Sequence, residues 1–205
     1  MAVTFAVLAS GTGSNFAAIA DAIQTGVIPD AKLIGLIGNV AGAPVFDKAR
    51  SRGIPSVYID GKMAREAYDQ KLVATLQGWS ADYILLAGYM RILSAKVLAP
   101  FPNQVINIHP SLLPSFPGLH AVKQALEHGV RWTGVTVHFV TEALDAGPII
   151  EQNVVEVLPS DNEESLYERI RPIEHKTYIR ALQKLGTSRF QLLGRRLLFS
   201  PNEIE

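Results

Sequence analysis

Two residues that could do chemistry together, Asn107 and His109, stand one residue apart in the run VINIHPSLLPSFPGLH from Val105 to His120. Val105, Ile106 and Ile108 are β-branched, which reads as a strand. Its period of two sets the amide and the imidazole on one face. Pro110 removes a ladder donor and biases His109 to extended backbone, so the strand opens into a loop just beyond the pair. In an open parallel sheet, ligands bind at that end. An amide NH₂ is a fixed donor for a carbonyl oxygen that gains charge during attack. An imidazole holds or passes a proton near neutral pH. The pair therefore suits acyl transfer. On this stretch alone a plainer reading stays open, with Asn107 capping a turn and His109 a satisfied histidine at a strand end.

Such a pair needs a scaffold, and the composition bounds it. The chain has 205 residues and no cysteine, which fits one domain of ordinary size that buries a core without metal or disulfide staples. No basic stretch precedes the apolar N-terminal residues, and no apolar run approaches the ~20 residues that span a bilayer. Lys+Arg equals Asp+Glu at 19 each. We therefore expect a cytoplasmic protein with neither membrane nor nucleic acid as a partner. Phosphate recognition then has to be local, in a loop or at a helix end. The five histidines include no pair at a ligand spacing such as His-x-x-x-His, so no metal is expected.

Taken in order, the apolar run Val3 to Ala9 leads into Ser10-Gly11-Thr12-Gly13-Ser14-Asn15 and a helical pattern through Phe16, Ile19, Ala20 and Ile23. This reads as strand, glycine loop and helix. Such a loop lets the backbone come close to an anion, and the helix offers free N–H groups and its positive end, so phosphate is the fitting guest. Phe16 stands where a dinucleotide fingerprint needs its third glycine, and no Lys-Ser or Lys-Thr completes a Walker loop. The plainer reading is a tight turn with Ser14 or Asn15 capping the helix. Lys32 to Asn39 is a second strand, ending in an amide where a dehydrogenase needs an acid. A helix to Arg52, a strand from Ile54 to Ile59 and a helix from Arg65 to about Gly78 follow. Arg65 by default is a solvated helix charge. Asp82 to Ala87 is an almost wholly apolar strand. The loop Gly88 to Leu93 offers a flat ligand a wall, or else packs into the core.

Beyond the central strand, Pro110, Pro114 and Pro117 stiffen the loop, and Ala121 to Gly129 reads as a helix. Gly134 to Thr141 alternates with Thr136 and His138 on one face, and Ile149 to Val157 is a further strand. Between them, Glu142 to Pro148 reads as a hairpin turn, where an aspartate such as Asp145 is ordinarily a turn former. A helix from Glu163 to Leu185, kinked at Pro172, sets Arg171 and Glu174 on one face. The apolar tail from Arg189 folds back as short strands. The alternation predicts an α/β fold, doubly wound, with a mostly parallel sheet and antiparallel strands toward the C-terminus.

The motifs SGTGSN at Ser10, LAGYMRIL at Leu86, NIHPSLLPSFPGLHA at Asn107, GVTVHFV at Gly134, LDAGPII at Leu144 and EH at Glu174 resemble one family in order and spacing over nearly the whole chain. That family is phosphoribosylglycinamide formyltransferase, the folate-dependent enzyme of purine biosynthesis. Related formyl-folate enzymes share the Asn, the His and the later Asp, whereas PGLH and the glycine loop narrow the match. The resemblance implies a single Rossmann-like formyltransferase domain over 1–205, with a nucleotide and phosphate half at 1–100 and a catalytic and folate half at 101–205. It implies formyl transfer from 10-formyltetrahydrofolate, a co-substrate, to the amine of 5′-phosphoribosylglycinamide, by a monomer or homodimer acting on small molecules without a metal.

Carried over residue by residue, the resemblance implies that Asn107 polarises the formyl carbonyl and stabilises the tetrahedral oxyanion. His109 is then an acid or proton shuttle, and Asp145 lies beside it and favours its imidazolium. Gly13, Ser14 and Asn15 cradle the ribonucleotide phosphate, with Glu174 at the ribose and Arg171 adding a charge-assisted bond to the phosphate. Arg65, Met90, Arg91, Ile92 and Leu93 take the folate side, together with Asn107, Val140, Thr141 and Asp145. His120 and His138 line the site. The tail after Gly186 matches only loosely, so no function is assigned there. Among competing readings, a formyl-folate hydrolase would not need the glycine loop, and a transferase acting on aminoacyl-tRNA would call for a second domain or a basic face. A non-catalytic nucleotide-binding protein would leave Asn107, His109 and Asp145 idle.

Overall fold

A computed structural model describes residues 2–201. The elements run β1 (Val3–Ala9), α1 (Ser14–Gln24), β2 (Ala31–Gly38), α2 (Val45–Ser51), β3 (Ser56–Tyr58), α3 (Arg65–Trp79), β4 (Tyr83–Leu86), α4 (Ala95–Leu98) and β5 (Val105–His109). There follow α5 (Ala121–Glu127), β6 (Trp132–Phe139), β7 (Ile149–Glu156), α6 (Glu163–Thr187), β8 (Ser188–Leu193) and β9 (Arg196–Pro201). Seven strands form one sheet in the order β3-β2-β1-β4-β5-β6-β7, and β8 pairs with β9 separately. Pairing is parallel for β1–β2, β2–β3, β1–β4 and β4–β5, and antiparallel for β6–β7 and β8–β9. The α/β fold predicted from periodicity is the one observed. Local differences include α4, whose four residues are too short to show a period, β3, which begins at Ser56 because Pro55 has no N–H for a ladder, and β6, which lies two residues earlier than the Gly134 to Thr141 alternation.

By contacts the chain divides into two compact units, Met1–Asn107 and Ile108–Glu205. In the first, the strand order reverses between β1 and β4, the switch point where open α/β sheets leave a crevice at their carboxyl ends. Register pairs Leu8 with Leu86 and Leu86 with Asn107, so these three strands reach that crevice at one level. The loops leaving β1 and β4 are tied together: Ser10 N–H donates to the Gly88 carbonyl at 3.1 Å, and Met90 N–H donates to Ser10 Oγ at 2.8 Å. Ile84, Leu85 and Leu86 of β4 are all buried, and each such side chain contributes roughly 1.5–3 kcal/mol of burial. The crevice floor is therefore firm.

In the second unit, α6 starts at a capping box in which Asn162 accepts from Ser165 N–H and Ser165 Oγ accepts from Asn162 N–H. Leu166, Ile170, Tyr178, Ala181, Leu182 and Leu185 recur at helical spacing on its buried face. The helix runs unbroken past Pro172 to Thr187.

Candidate active site

β5 ends in the two residues singled out by spacing. Asn107 is half-buried, and His109, two residues on and on the same face, is 5 % exposed. His109 Nε2 lies 2.8 Å from the Phe116 carbonyl, which can only accept, so a proton is assigned to Nε2. His109 Nδ1 faces Asp145 Oδ2 at 3.5 Å, an ion-pair distance longer than a good hydrogen bond. Asp145 Oδ2 also accepts from Gly118 N–H at 2.8 Å, and its Oδ1 lies 3.7 Å from His138 Nε2. The carboxylate thus sits between two imidazoles, with its side chain 9 % exposed. A charge so placed stabilises positive charge as it develops on a neighbouring ring. His138, 1 % exposed, meets the Phe139 carbonyl through Nδ1 at 2.9 Å. Burial holds the His138 imidazole below its ordinary value; the Phe139 carbonyl and Asp145 oppose the shift and His109 adds to it. Asp145 adopts φ 48°, so its backbone does serve the turn that its residue type suggested. Its side chain has the further place beside His109.

Buried groups hold the loop after β5. Thr136 Oγ1 donates to the Ser111 carbonyl at 2.7 Å and accepts from Leu113 N–H at 3.0 Å, while Gln152 Nε2 donates to Thr136 Oγ1 and to the Leu113 carbonyl. Ser111 Oγ donates to the Ser115 carbonyl at 2.6 Å. These bonds aim the Phe116 carbonyl at His109. No periodic signal in the sequence marks Phe116 or Gln152. His120 is exposed and is the residue before α5, with φ 59°.

In the glycine loop, Gly13 caps α1 with φ 71°, and no side chain caps the helix. The alternative of a Ser14 or Asn15 cap is thereby corrected: the left-handed cap leaves those residues inside the first turn. A Cβ on Gly13 would lie 2.4 Å from Val45 Cγ2, so α2 crowds this position, whereas one on Gly11 would meet nothing within 4 Å. Ala17 N–H makes the first bond of the helix, to the Gly13 carbonyl. The N–H groups of the turn before it have no partner within the helix. Asn15 is 8 % exposed, and its buried Oδ1 has no hydrogen-bond partner. In the other unit, Glu174 is 4 % exposed, and exposed Arg171 lies over the Tyr167 ring at 5.2 Å.

The loop after β4 is pinned by α3. Arg65 Nη2 donates to the Ile92 carbonyl at 2.9 Å and its Nε lies 3.6 Å from Asp69 Oδ2, which accepts from Ser94 Oγ at 2.6 Å. Arg65 is therefore more than a solvated helix charge. Arg91 Nη1 donates to the Gly61 carbonyl, and its guanidinium stacks 4.2 Å over the Tyr68 ring. The Tyr68 and Tyr89 hydroxyls are bonded to each other. So braced, the loop presents Met90 and Ile92 at 76 % and 68 % exposure, while Leu93 is half-buried. On the other unit, Val140 is half-buried, and exposed Thr141 donates through Oγ1 to the Ala143 carbonyl.

Residues 3–182 match the family model of formyl transferases. The trifunctional purine biosynthetic protein adenosine-3 of Drosophila melanogaster is 46 % identical over 185 residues, 88 % of this chain but 14 % of that protein. The chain thus spans only a small part of the length of the curated relatives it matches. Glycinamide ribonucleotide transformylase 1 from Symbiobacterium toebii is 42 % identical and superposes with a TM-score of 0.93, covering 97 % of this chain and 94 % of that one. A formyltetrahydrofolate deformylase from Pseudomonas syringae reaches a TM-score of 0.90 at 29 % identity, covering 97 % of this chain and 66 % of its own. On the family match and the near-complete overlap with a transformylase of similar length, the chain belongs to the formyl transferase family, in its phosphoribosylglycinamide formyltransferase branch.

Proposed function

We propose that the chain transfers the formyl group of 10-formyltetrahydrofolate to the amine of 5′-phosphoribosylglycinamide, giving formylglycinamide ribonucleotide and tetrahydrofolate. The observation that carries this reading is the Asp145 carboxylate set against His109, two residues from Asn107 on the same strand face. The amine nitrogen attacks the formyl carbon, and the carbonyl oxygen takes up negative charge that the Asn107 amide stabilises. The bond from carbon to the folate nitrogen then breaks. The proton given up by the amine reaches that nitrogen by way of His109, with Asp145 balancing charge on the ring. Because both ring nitrogens of His109 face protein groups here, the Phe116 carbonyl gives way when substrate takes its place. Holding amine and formyl carbon together removes much of the entropic barrier.

In the same reading, Gly13, Ser14 and Asn15 take the phosphate, and a donor such as water or a ribose hydroxyl satisfies Asn15 Oδ1, since an ionised phosphate oxygen only accepts. Arg171 and Glu174 serve the ribonucleotide. Arg65, the Met90 to Leu93 loop, Val140 and Thr141 serve the folate, whose flat ring system matches the exposed apolar Met90 and Ile92. The co-substrate is the only organic factor the reaction needs, and no resident metal is invoked. No helix among the described residues is long and apolar enough to cross a membrane. A cytoplasmic enzyme of small molecules, monomeric or homodimeric, fits this chemistry.

The likeness to a deformylase favours one second reading, hydrolysis of the formyl-folate to formate. Purified protein with 10-formyltetrahydrofolate separates the two when tetrahydrofolate release is followed spectrophotometrically with and without the ribonucleotide. Release that depends on the acceptor supports transfer. Equal release without it would replace transfer by hydrolysis.

A further inference from the structure

The C-terminal hairpin lies beyond the residues that match the family model. Its strands pair Leu193 with Arg196, which leaves Gly194 and Arg195 as a two-residue turn, with Gly194 at φ 62°. Glycine with positive φ at the first turn position is the pattern of a type II′ hairpin. Phe190 and Phe199 are cross-strand partners, and their ring centroids lie 6.2 Å apart. Phe190 also packs 5.3 Å from Phe139. Phe139 is the last residue of β6 and stands where the loop to Asp145 departs. The hairpin is thus seated at the root of that loop, and its turn reaches the far side: Arg195 Nη2 donates to the Ala146 carbonyl at 2.8 Å.

The loop needs such holds. Asp145 sits at φ 48°, a conformation that costs an ordinary residue roughly 1–2 kcal/mol. Three tethers oppose its relaxation. Phe139 N–H donates to the Pro148 carbonyl, beside Gly147, where a Cβ would strike the Phe139 carbonyl. Gly118 N–H holds the carboxylate itself. Arg195 holds the peptide unit between Ala146 and Gly147, one residue beyond Asp145, and a shift of that unit would carry the Asp145 backbone with it and swing the carboxylate away from its two imidazoles. Ala146 N–H contributes only a long 3.4 Å bond to the Ala143 carbonyl. The guanidinium is therefore the strong fastening at that point.

We propose that Arg195, at the tip of the C-terminal hairpin, is a positioning residue that holds the Ala146 carbonyl and so keeps the Asp145 carboxylate between His109 and His138. Its kinetic consequence rests on the transferase reading, so the test carries an arm that does not. In the full chain, Arg195→Ala should lower kcat about 5-fold, the loss typical of one ordinary hydrogen bond. Both KM values and the melting temperature should move little, and Arg195→Lys should restore part of the loss. Arg196→Ala, which removes the same charge one residue on, should match wild type. In an Asp145→Asn background, Arg195→Ala should cost less than about 2-fold. Independently of any reaction, the imidazole ¹⁵N signals of His109 and His138 should move in Arg195→Ala and stay in Arg196→Ala. Unmoved ¹⁵N signals, or equal losses in the wild-type and Asp145→Asn backgrounds, would overturn the positioning role. A wild-type chain that formylates nothing, with ¹⁵N signals moved as expected, would overturn the transferase reading and leave the positioning intact.

Discussion

Asp145→Asn isolates the charge at the centre of the site. An asparagine oxygen can keep the bond from Gly118 N–H, so the turn at φ 48° is retained while the negative charge is lost. Two unit charges about 4 Å apart attract by roughly 4 kcal/mol at an effective dielectric of ~20. The distance here is 3.5 Å, between side chains only 7 % and 9 % exposed, so solvent screens the pair little. The amide dipole and water that enters recover part of that energy. A net loss of roughly 3 kcal/mol for the charged ring in the transition state corresponds to about 10² in kcat. Steady-state kinetics with each substrate varied, alongside thermal melting, should show that drop in kcat with little change in either KM or the melting temperature. Combining it with His109→Ala sharpens the test: the double variant should be little slower than His109→Ala alone, because Asp145 acts through that ring. Losses that multiply in a folded double variant would refute the coupling and leave Asp145 a turn residue.

Further outcomes follow from other parts of the site. Asn107→Ala should lower kcat by roughly 10²- to 10³-fold with smaller changes in ground-state binding, as for one oxyanion donor; near-normal turnover would make Asn107 structural. Gly11→Ala, with open space for a Cβ, should fold normally and raise the KM for the ribonucleotide. Gly13→Ala should lower the melting temperature, since its Cβ meets Val45; a Gly11 variant with wild-type kinetics would show that the ribonucleotide does not approach the loop backbone at Gly11. Arg171→Ala should raise the ribonucleotide KM mildly and leave the folate KM alone, which substrate-saturation curves will reveal. His138 has its folded-state pKa below its ordinary value of 6.5, so the unfolded chain takes up that proton first. The stability involved is intact above the ordinary value and is lost as pH falls through the lower, folded one. Between about pH 7 and pH 5, wild type should therefore lose more melting temperature than His138→Gln, with Asp145 and His109 the groups facing the ring; equal losses would contradict the burial effect.

How much of this was legible in the sequence depends on how far apart the partners lie along the chain. Strand periodicity and the Asn107–His109 spacing are local, and both led to the observed β5. Asp145 was ambiguous because its two readings differ only in a contact across the chain, to His109. Gly13 was read as a close approach to a ligand, but the structure shows a second and sufficient cause in the packing of Val45, which no local pattern announces. Arg65 looked like a solvated charge, since nothing near it in sequence shows that the Ile92 carbonyl waits for its guanidinium. The tail was correctly expected to fold back as short strands, yet Arg195 carried no signal. Its partner is a backbone carbonyl, and a backbone carbonyl leaves no residue-type signature.

The central claim is acceptor-dependent formyl transfer, and the fate of the formyl carbon tests it most directly. Wild-type protein with [¹³C]formyl-tetrahydrofolate and 5′-phosphoribosylglycinamide should pass the label, followed by NMR, into the formamide of the ribonucleotide, one for each tetrahydrofolate released. Without the acceptor the label should stay on the folate. Label appearing in formate at the same rate whether or not the ribonucleotide is present would contradict the claim.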